Sequence, residues 1–198
     1  MINNELINKL IEDAKKYYKL DISFKDMEDI LKISSIVNYK NGDILIEVGD
    51  EINKTGFILD GIIKSSYITY DGKDITRFFH TKYSMVLDDS LLGFNESKYR
   101  CIVVNDACVL MMDTIKLKEL FKNNSVWKEF YVLALESGMR YKIYRENELM
   151  TKTAKERYLQ FINDYPNILN NVNQYDIASY LGIEPQSLSR IKKELEDN

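Results

Sequence analysis

Residues 34–112 constrain the fold more than any other part of the chain, because short apolar runs alternate there with turn-forming residues. The runs ILIEV, GFIL, IIKSSYITY, ITRFFH, YRCIVVN and ACVLMM are rich in β-branched and aromatic residues. Five glycines fall between residues 42 and 72, and the segment YDGKD is typical of a hairpin turn because Asp-Gly tolerates positive φ. Strands this closely spaced, with no helix between them, predict an antiparallel roll or barrel.

Helical patterns flank this β region. Ser23 and Asp26 have the spacing of a capping box that starts a helix before it. After the β region, TIKLKELFKN predicts a short helix and residues 125–150 predict a much longer one. A second capping box, Thr153 with Glu156, marks the start of a further helix.

The end of the chain carries a helix-turn-helix pattern. In IASYLGIEPQSLSRIKK, residues 177–193, two helical patterns are separated by Gly182 and Pro185. Glycine permits the positive φ of a tight turn, and proline in the first turn of a helix loses no hydrogen bond. Ala178 is small where the two helices would cross, and apolar residues stand at the contact positions: Ile177, Leu181, Ile183, Leu188 and Ile191. The pattern predicts a recognition helix over 185–195 that enters a major groove of DNA.

The net charge of −4 provides no general attraction to nucleic acid, so any DNA contact must come from a local patch. Pro185 to Lys193 contains three basic residues and no acidic one. Glutamine can pair with adenine and arginine with guanine, so the predicted base-facing residues are Gln186, Ser187, Ser189 and Arg190. The predicted phosphate contacts are Lys152, Lys155 and Lys193. The alternative is that these residues are solvated surface side chains.

The long helix carries a stripe that predicts self-association. Its members recur at steps of three and four residues, with two small ones at the centre: Trp127, Tyr131, Ala134, Gly138 and Tyr141. Small residues allow a second backbone to approach closely, so we predict that this stripe forms a homodimer. Packing of the stripe against the β domain of its own chain is the alternative.

These patterns together predict the α+β class, with an N-terminal antiparallel, jelly-roll-like β-roll, a long dimerisation helix and a C-terminal helix-turn-helix domain. The expected limits are 1–122, 123–151 and 152–198. The 45% hydrophobic and 29% charged residues are ordinary for a globular protein. No apolar run approaches the roughly 20 residues of a membrane helix, so we expect a cytoplasmic protein with no membrane partner.

The order of these parts, with YKNGDILIEVGD, GFILDGIIKSSY and IASYLGIEPQSLSRIKKEL, resembles the Crp/Fnr family of bacterial transcription regulators from about residue 20 to the end. The resemblance implies a cyclic-nucleotide-binding-type roll that senses a small-molecule effector. It also implies a homodimer that binds a palindromic operator in double-stranded DNA, with recognition helices about 34 Å apart. RNA polymerase would be a further partner.

The sequence departs from this family at the effector pocket. Members that bind cyclic AMP hold its ribose and phosphate with a Gly-Glu pair and an Arg-Ser pair, whereas the corresponding segment here is MVLDDSLLGFNESKYRCIVV. The residues expected at the pocket are Asp88, Asp89, Ser90, Lys98, Tyr99 and Arg100. Two carboxylates would repel a phosphate, although Lys98 or Arg100 could still bind an anion. We therefore predict an unknown effector other than cyclic AMP, and a roll that binds none stays open.

The sequence does not favour a cofactor or an enzyme. An iron–sulfur cluster needs four cysteines, and the chain has only Cys101 and Cys108, expected in the core on a hairpin that turns near Asn105 and Asp106. His80, the single histidine, is more typical of a strand end than of a haem ligand, and one histidine cannot build a cupin-type metal site. We also find no Gly-rich phosphate loop and no nucleophile elbow.

Two functions remain. The first is a dimeric, sequence-specific transcription regulator. The alternative is a ligand-binding or protein-interaction module with a vestigial DNA-binding domain, which the acidic balance and the altered phosphate motif favour. Only a true DNA binder would lose affinity steeply as salt rises.

Overall fold

The structure is a computed structural model that describes residues 4–197. Two helices, α1 (Asn4–Tyr18) and α2 (Phe24–Lys32), precede the sheet. The strands are β1 (Ser34–Tyr39), β2 (Ile44–Ile46), β3 (Lys54–Ile68), β4 (Asp74–His80), β5 (Met85–Val86) and β6 (Arg100–Asp113), with a 3₁₀ helix at Asp88–Leu92. Five helices follow: α3 (Thr114–Asn123), α4 (Ser125–Thr151), α5 (Ala154–Asp164), α6 (Gln174–Leu181) and α7 (Pro185–Glu196).

The six strands form one antiparallel sheet, which confirms the predicted α+β class with a β-roll and flanking helices. The strand order is β1-β6-β3-β4, while β2 pairs with β6 and β5 pairs with β3. The Asp-Gly turn also forms as predicted between β3 and β4. Gly72 has φ of 82°, and its N–H donates to the carbonyl of Thr69 at 2.9 Å.

Two strands are longer than the sequence runs predict. GFIL and IIKSSY belong to the single strand β3, which continues through Gly61, and YRCIVVN and ACVLMM belong to β6. Gly61 has φ of 92°, and a Cβ there would lie 2.3 Å from the carbonyl oxygen of Asp106. The register shifts on both sides of Asp60 show that β3 passes this point as a bulge rather than a turn.

The predicted hairpin near Asn105 and Asp106 is therefore wrong, because β6 continues through these residues without a turn. Cys101 and Cys108 lie seven positions apart on that one strand and are both free thiols. Cys101 is buried and Cys108 is only partly so. The turn formers at 105–106 occupy the bulged stretch that faces Gly61, which explains why they interrupt the sequence pattern without ending the strand.

Both predicted capping boxes are confirmed. Ser23 Oγ accepts from the Asp26 N–H at 3.2 Å, and Thr153 Oγ1 accepts from the Glu156 N–H at 3.3 Å. The second box starts α5 two residues after the end of α4. The three domain limits stay a prediction, with this break as their sharpest physical marker.

Three hydrophobic clusters hold the chain together. One lies among α1–α4 and the adjoining strands, and a second fills the roll. The third joins the C-terminal helices to the sheet, because Ile62 of β3 and Phe79 of β4 pack with Phe161 and Tyr180. The helix-turn-helix thus rests on the roll of its own chain. Within residues 4–197, no helix has the length and apolar character to cross a membrane.

Candidate nucleic-acid interface and effector pocket

The helix-turn-helix consists of α6, a turn at Gly182, and α7. Gly182 adopts the left-handed conformation with φ of 68°, and its N–H donates to the carbonyls of Ala178 and Ser179. Ala178 has no exposed surface, which fits its position between the two helices. Leu188 and Ile191 of α7 are buried in the cluster shared with α5 and α6. This packing fixes which side of α7 faces outward.

The outward side of α7 carries most of the residues predicted to read bases. Gln186, Ser189, Arg190 and Lys193 are exposed, whereas Ser187 is half-buried. Ser189 Oγ donates to the carbonyl of Pro185 at 3.1 Å, so its hydroxyl is partly engaged within the helix. No hydrogen bond or ion pair within residues 4–197 occupies the Arg190 guanidinium. The arrangement can place an amide and a guanidinium in a groove together.

The two lysines predicted upstream are less available. Lys152 Nζ donates to Glu148 Oε1 at 3.2 Å and lies 5.4 Å from the centre of the Tyr144 ring. Lys155 is half-buried on α5. Phosphate contact by Lys152 would therefore require its ion pair with Glu148 to open, while Lys193 already faces solvent.

Sequence reasoning missed Arg157. It holds the C-terminal helices α5–α7, the part proposed to read DNA and called the reading domain below, to the end of α4. Its Nε donates to the carbonyl of Leu181 at 3.0 Å, and one of its terminal nitrogens donates to the carbonyl of Lys152 at 2.6 Å. Arg157 thereby satisfies carbonyls at the ends of α6 and α4. A basic residue inside TAKERYLQFI was visible in the sequence, but nothing there distinguished it from a surface charge.

The predicted effector-pocket residues divide into two groups. Asp88, Asp89 and Tyr99 lie around Arg77 of β4, a residue that sequence reasoning did not assign to the pocket. The Arg77 guanidinium carbon lies 4.9 Å from the centre of the Tyr99 ring and 5.9 Å from that of Tyr67. Burial disfavours the charge on Arg77, but Tyr67 and then Asp89 offset it, so the pKa of Arg77 is raised.

Two features of this cluster are unusual for a plain core. Burial, and then the neighbouring charge of Asp89, raise the pKa of the Asp88 carboxyl. Tyr99 is only 1% exposed, and in the described part of the chain its buried hydroxyl has no hydrogen-bond partner. A buried polar atom without a partner requires an explanation, and a bound polar molecule is one.

The remaining three predicted residues have other roles. Ser90 is buried in a group of hydroxyls, 3.1 Å from Thr55 Oγ1 and 3.0 Å from Thr114 Oγ1. Lys98 is exposed and lies 3.6 Å from Glu96. Arg100 donates to Glu47 Oε2 at 2.8 Å. Lys98 and Arg100 are thus paired with Glu96 and Glu47, whereas the cations that act on Asp88 include Arg77 and then Lys142.

A separate cleft of about 400 Å³ opens on the roll. Its wall includes Tyr39, Ile46, Leu87 and the loop 50–54. The cleft shares Leu87 with the segment that leads to Asp88, but its lining does not include Arg77, Asp88 or Tyr99. A volume of this size lies in the range of small-molecule sites, about 300–1,000 Å³.

His80 occupies a closed environment. Its Nδ1 lies 2.8 Å from the carbonyl oxygen of Met85, and its Nε2 lies 3.1 Å from Ser65 Oγ. Burial lowers the pKa of His80 to about 3, so the imidazole is neutral near pH 7. Both of its nitrogens make contacts inside the roll. Within residues 4–197, no group of three or more His, Cys, Asp or Glu side chains could hold a metal ion.

The predicted dimer residues face different surroundings. Trp127 is buried and its Nε1 donates to the carbonyl of Asp26 at 3.1 Å. Tyr131 stacks on Phe121, and Tyr141 packs edge-on against Phe78. These three aromatic residues thus make contacts within the chain, as the alternative interpretation expects, and their role in a dimer stays a prediction. Ala134 is half-buried, and a Cβ on Gly138 would meet nothing within 4 Å.

A different set of apolar residues on α4 is exposed, and we call it the dimer stripe: Val132, Leu135, Met139, Ile143 and Met150. At 100° per residue these positions fall on one side of the helix. Met139 and Ile143 are 60% and 61% exposed. The dimer interface stays a prediction, and this exposed apolar surface on α4 is a candidate for it.

Comparison with known proteins places the roll in a recognised group. Residues 36–124 match the family model of the cyclic nucleotide-binding domain. This domain covers β1 through α3 and the start of the turn before α4, so it contains the Arg77 cluster and His80. No curated protein sequence matches the chain.

Solved structures extend the likeness beyond this domain. FixK2 from Bradyrhizobium japonicum is 16% identical, with a TM-score of 0.74, over 83% of this chain and 85% of that one. The c-di-GMP-responsive global regulator CLP from Xanthomonas campestris is 12% identical, with a TM-score of 0.71, over 88% and 92%. A protein from Eubacterium rectale assigned to the Crp/Fnr transcriptional regulators is 14% identical, with a TM-score of 0.69, over 89% and 84%. At these identities the likeness shows the fold, which is that of Crp/Fnr regulators.

Proposed function

We propose that this chain is a DNA-binding transcription regulator of the Crp/Fnr type that acts as a homodimer on a palindromic operator. The observation that carries the proposal is the exposed Arg190, which has no ion pair within residues 4–197, one turn from Gln186 on a helix whose inner side is buried. The cyclic nucleotide-binding domain and the fold of the compared regulators support the same role.

The reading chemistry follows from the side chains on α7. Arg190 would grip a guanine through its N7 and O6, and Gln186 would pair with an adenine. Lys193 would contact a phosphate, which positions the helix without specifying sequence. Because a chain of net charge −4 repels DNA at long range, this local basic surface must supply the attraction.

The dimer stripe would bring two copies together. A helix with apolar residues exposed along one side is stabilised when a second helix covers them. Burying these five side chains contributes less than the roughly 1.5–3 kcal/mol of full burial for each, because they are already partly covered, and the cost of association is subtracted from the sum. Pairing of α4 helices would give the two-fold symmetry that a palindromic operator mirrors.

We propose further that the roll responds to a small molecule other than cyclic AMP. A cyclic phosphate entering beside Arg77 would also meet Asp88 and Asp89, whose charges oppose it. The buried Tyr99 hydroxyl, which has no hydrogen-bond partner within residues 4–197, favours a polar ligand.

Operator selection from random double-stranded DNA tests the proposed function. The wild-type protein is expected to enrich a palindrome, and its affinity should fall steeply between 50 and 200 mM salt because phosphate contacts release counterions. Failure to enrich any sequence, with a small salt dependence, would favour a ligand-binding or protein-interaction module with a vestigial DNA-binding domain.

A second measurement addresses the effector. Mass spectrometry of the protein purified from cells, under non-denaturing conditions, should show an added small molecule. Titration with cyclic AMP should show no saturable binding at micromolar concentrations, and the Arg77→Met variant should lose the added mass. Saturable cyclic AMP binding would contradict the proposed effector class.

A further inference from the structure

Lys64 is a charged side chain buried between the roll and the reading domain. It lies on β3 and is only 5% exposed. Its Nζ donates to Asp176 Oδ1 of α6 at 2.6 Å and to Asp74 Oδ1 of β4 at 3.1 Å. A buried ammonium group is tolerated only when it is paired, so this contact ties three elements together.

The other oxygen of each carboxylate is also satisfied. Asp176 Oδ2 accepts from Asn173 Nδ2 at 2.7 Å, and Asp74 Oδ2 accepts from Ser66 Oγ at 3.1 Å. Asp176 lies in the first turn of α6, where the helix dipole favours a negative charge. The network is therefore closed. Displacement of α6 would separate Asp176 from Lys64 and leave the Lys64 ammonium with Asp74 alone.

Backbone contacts fix the register of α6 on the sheet. β4 lies at one end of the strand order, and the Thr76 N–H donates to Ser179 Oγ at 2.9 Å. Ser179 Oγ in turn donates to the carbonyl oxygen of Asp74 at 3.3 Å. One residue further along α6, the Tyr180 ring packs on Phe79 with centroids 5.5 Å apart.

The long helix holds the same part of α6. The hydroxyls of Tyr141 and Tyr180 are 3.2 Å apart, and Arg145 donates to the carbonyl of Tyr180 at 2.6 Å. The Arg145 guanidinium also lies 4.0 Å from the centre of the Tyr180 ring. Since α4 carries the dimer stripe, the orientation of the reading domain is fixed relative to the surface proposed to meet the second copy.

These contacts leave the reading surface open. The contacts of Lys64 and Arg145 hold α6, whereas Gln186, Arg190 and Lys193 of α7 remain exposed. The contact nearest to them is Lys73 with Glu184, 3.5 Å apart and largely exposed. The docked arrangement thus orients the recognition helix without covering it.

We propose that Lys64 is a positioning residue for DNA recognition, which clamps α6 between Asp74 and Asp176 and so sets the separation of the two recognition helices in the dimer. This role rests on the proposed function. It predicts that the clamp determines how strictly the protein requires one spacing between operator half-sites.

The test compares operators that differ only in the spacing of their half-sites. One inserted base pair shifts a half-site by about 3.4 Å and rotates it by about 34°. The wild type should bind the changed operator at least about 100-fold more weakly than the selected one. Lys64→Met should bind the selected operator about 10-fold more weakly than the wild type does. Its affinity for the operator with the inserted base pair should be less than about fivefold below its own affinity for the selected operator, because its reading domains can adjust.

Three further variants guard against a general loss of folding. Asp176→Asn removes the charge on the α6 side and should also relax the spacing requirement. Lys64→Arg keeps the charge and should retain much of the strictness. Lys73→Met removes the exposed pair with Glu184 and should behave as the wild type, since exposed pairs contribute little. An isolated half-site should bind wild type and Lys64→Met equally, because the reading residues are unchanged.

The outcomes separate the two proposals. Wild-type spacing strictness in both Lys64→Met and Asp176→Asn would refute the role of Lys64 while leaving DNA binding intact. Equal weakening on isolated half-sites and on every spacing would show a merely structural role and refute it too. A wild-type protein that selects no DNA would refute the proposed function, and this role with it.

Discussion

At the scale of single residues, exposure distinguishes Arg190 from its basic neighbours. The residue lies on the outward side of α7, whereas Lys192 is half-buried two positions later. A good bidentate contact with guanine contributes about 1–3 kcal/mol of discrimination. The two residues are therefore a matched pair for mutation.

Arg190→Ala should weaken binding to the selected operator by about 10- to 100-fold and relax the preference at one base of each half-site. Lys192→Ala should weaken binding less than about threefold and leave the preference unchanged. Fluorescence anisotropy on operators substituted at each position measures both effects. Equal losses from the two substitutions would remove Arg190 from the reading role.

His80 makes a prediction about stability. Because the pKa of the imidazole is lowered to about 3 in the folded protein, the unfolded chain binds the extra proton between about pH 6.5 and pH 3. The contribution of His80 is thus fully present above about pH 6.5 and is lost as the pH falls toward 3. Urea titrations of the wild type should show the free energy of unfolding fall by up to about 1.4 kcal/mol per pH unit in this window.

His80→Gln provides the control, since glutamine can keep hydrogen bonds to Ser65 and to the carbonyl of Met85 but cannot titrate. This variant should lose less stability on acidification than the wild type. Parallel pH profiles for the two proteins would contradict a buried, neutral histidine.

At the scale of elements, the first turns and the middle of α4 have different surroundings. Its first turns are buried by Trp127 and Phe130 against the N-terminal helices, while its middle carries the exposed dimer stripe. Helical spacing in the sequence identified the helix correctly but could not determine which of its apolar sides the chain itself covers. Aromatic residues suggested an interface, yet their rings fill the chain's own clusters.

Met139→Glu should dissociate the dimer, because it places a charge in the middle of the dimer stripe. Ser137→Glu adds the same charge on an exposed position outside the stripe and should leave the dimer intact. Sedimentation equilibrium at micromolar concentrations distinguishes dimer from monomer. Dissociation by Ser137→Glu alone would instead place the interface on the side of Ala134 and Gly138.

The sheet shows which features the local sequence pattern predicts and which it does not. Alternating apolar runs and turn formers predicted the antiparallel roll, and both capping boxes predicted helix starts. The bulges at Gly61 and near Asn105 were not visible, since a glycine or an Asn-Asp pair in a run has the same local signal for a turn as for a bulge. Likewise Arg77 meets Tyr99, and Lys64 meets Asp176, through long-range packing that no local spacing encodes.

At the scale of the whole molecule, the third hydrophobic cluster joins the roll to the reading domain. Phe79 and Ile62 would be exposed if these parts separated. Together with the Lys64 network, this burial predicts that the chain unfolds as one cooperative unit. If the chain unfolds in this way, the domain limits drawn from sequence mark breaks between elements rather than independent folding units.

Phe79→Ala should cost about 3–5 kcal/mol and divide the single calorimetric transition into two. Phe130→Ala is the matched control, because Phe130 has similar burial in the N-terminal cluster, away from the reading domain. It should lower the midpoint by a comparable amount while keeping one transition. Two transitions already present in the wild type would show that the cluster does not couple the parts.

The attachment of the reading domain through α6 has a consequence for how such proteins diversify. The residues that would choose a target sequence, Gln186 and Arg190, take no part in holding the domain on the roll. On the proposed function, substitutions there would change the target sequence while the contacts that orient the domain on the roll stay the same.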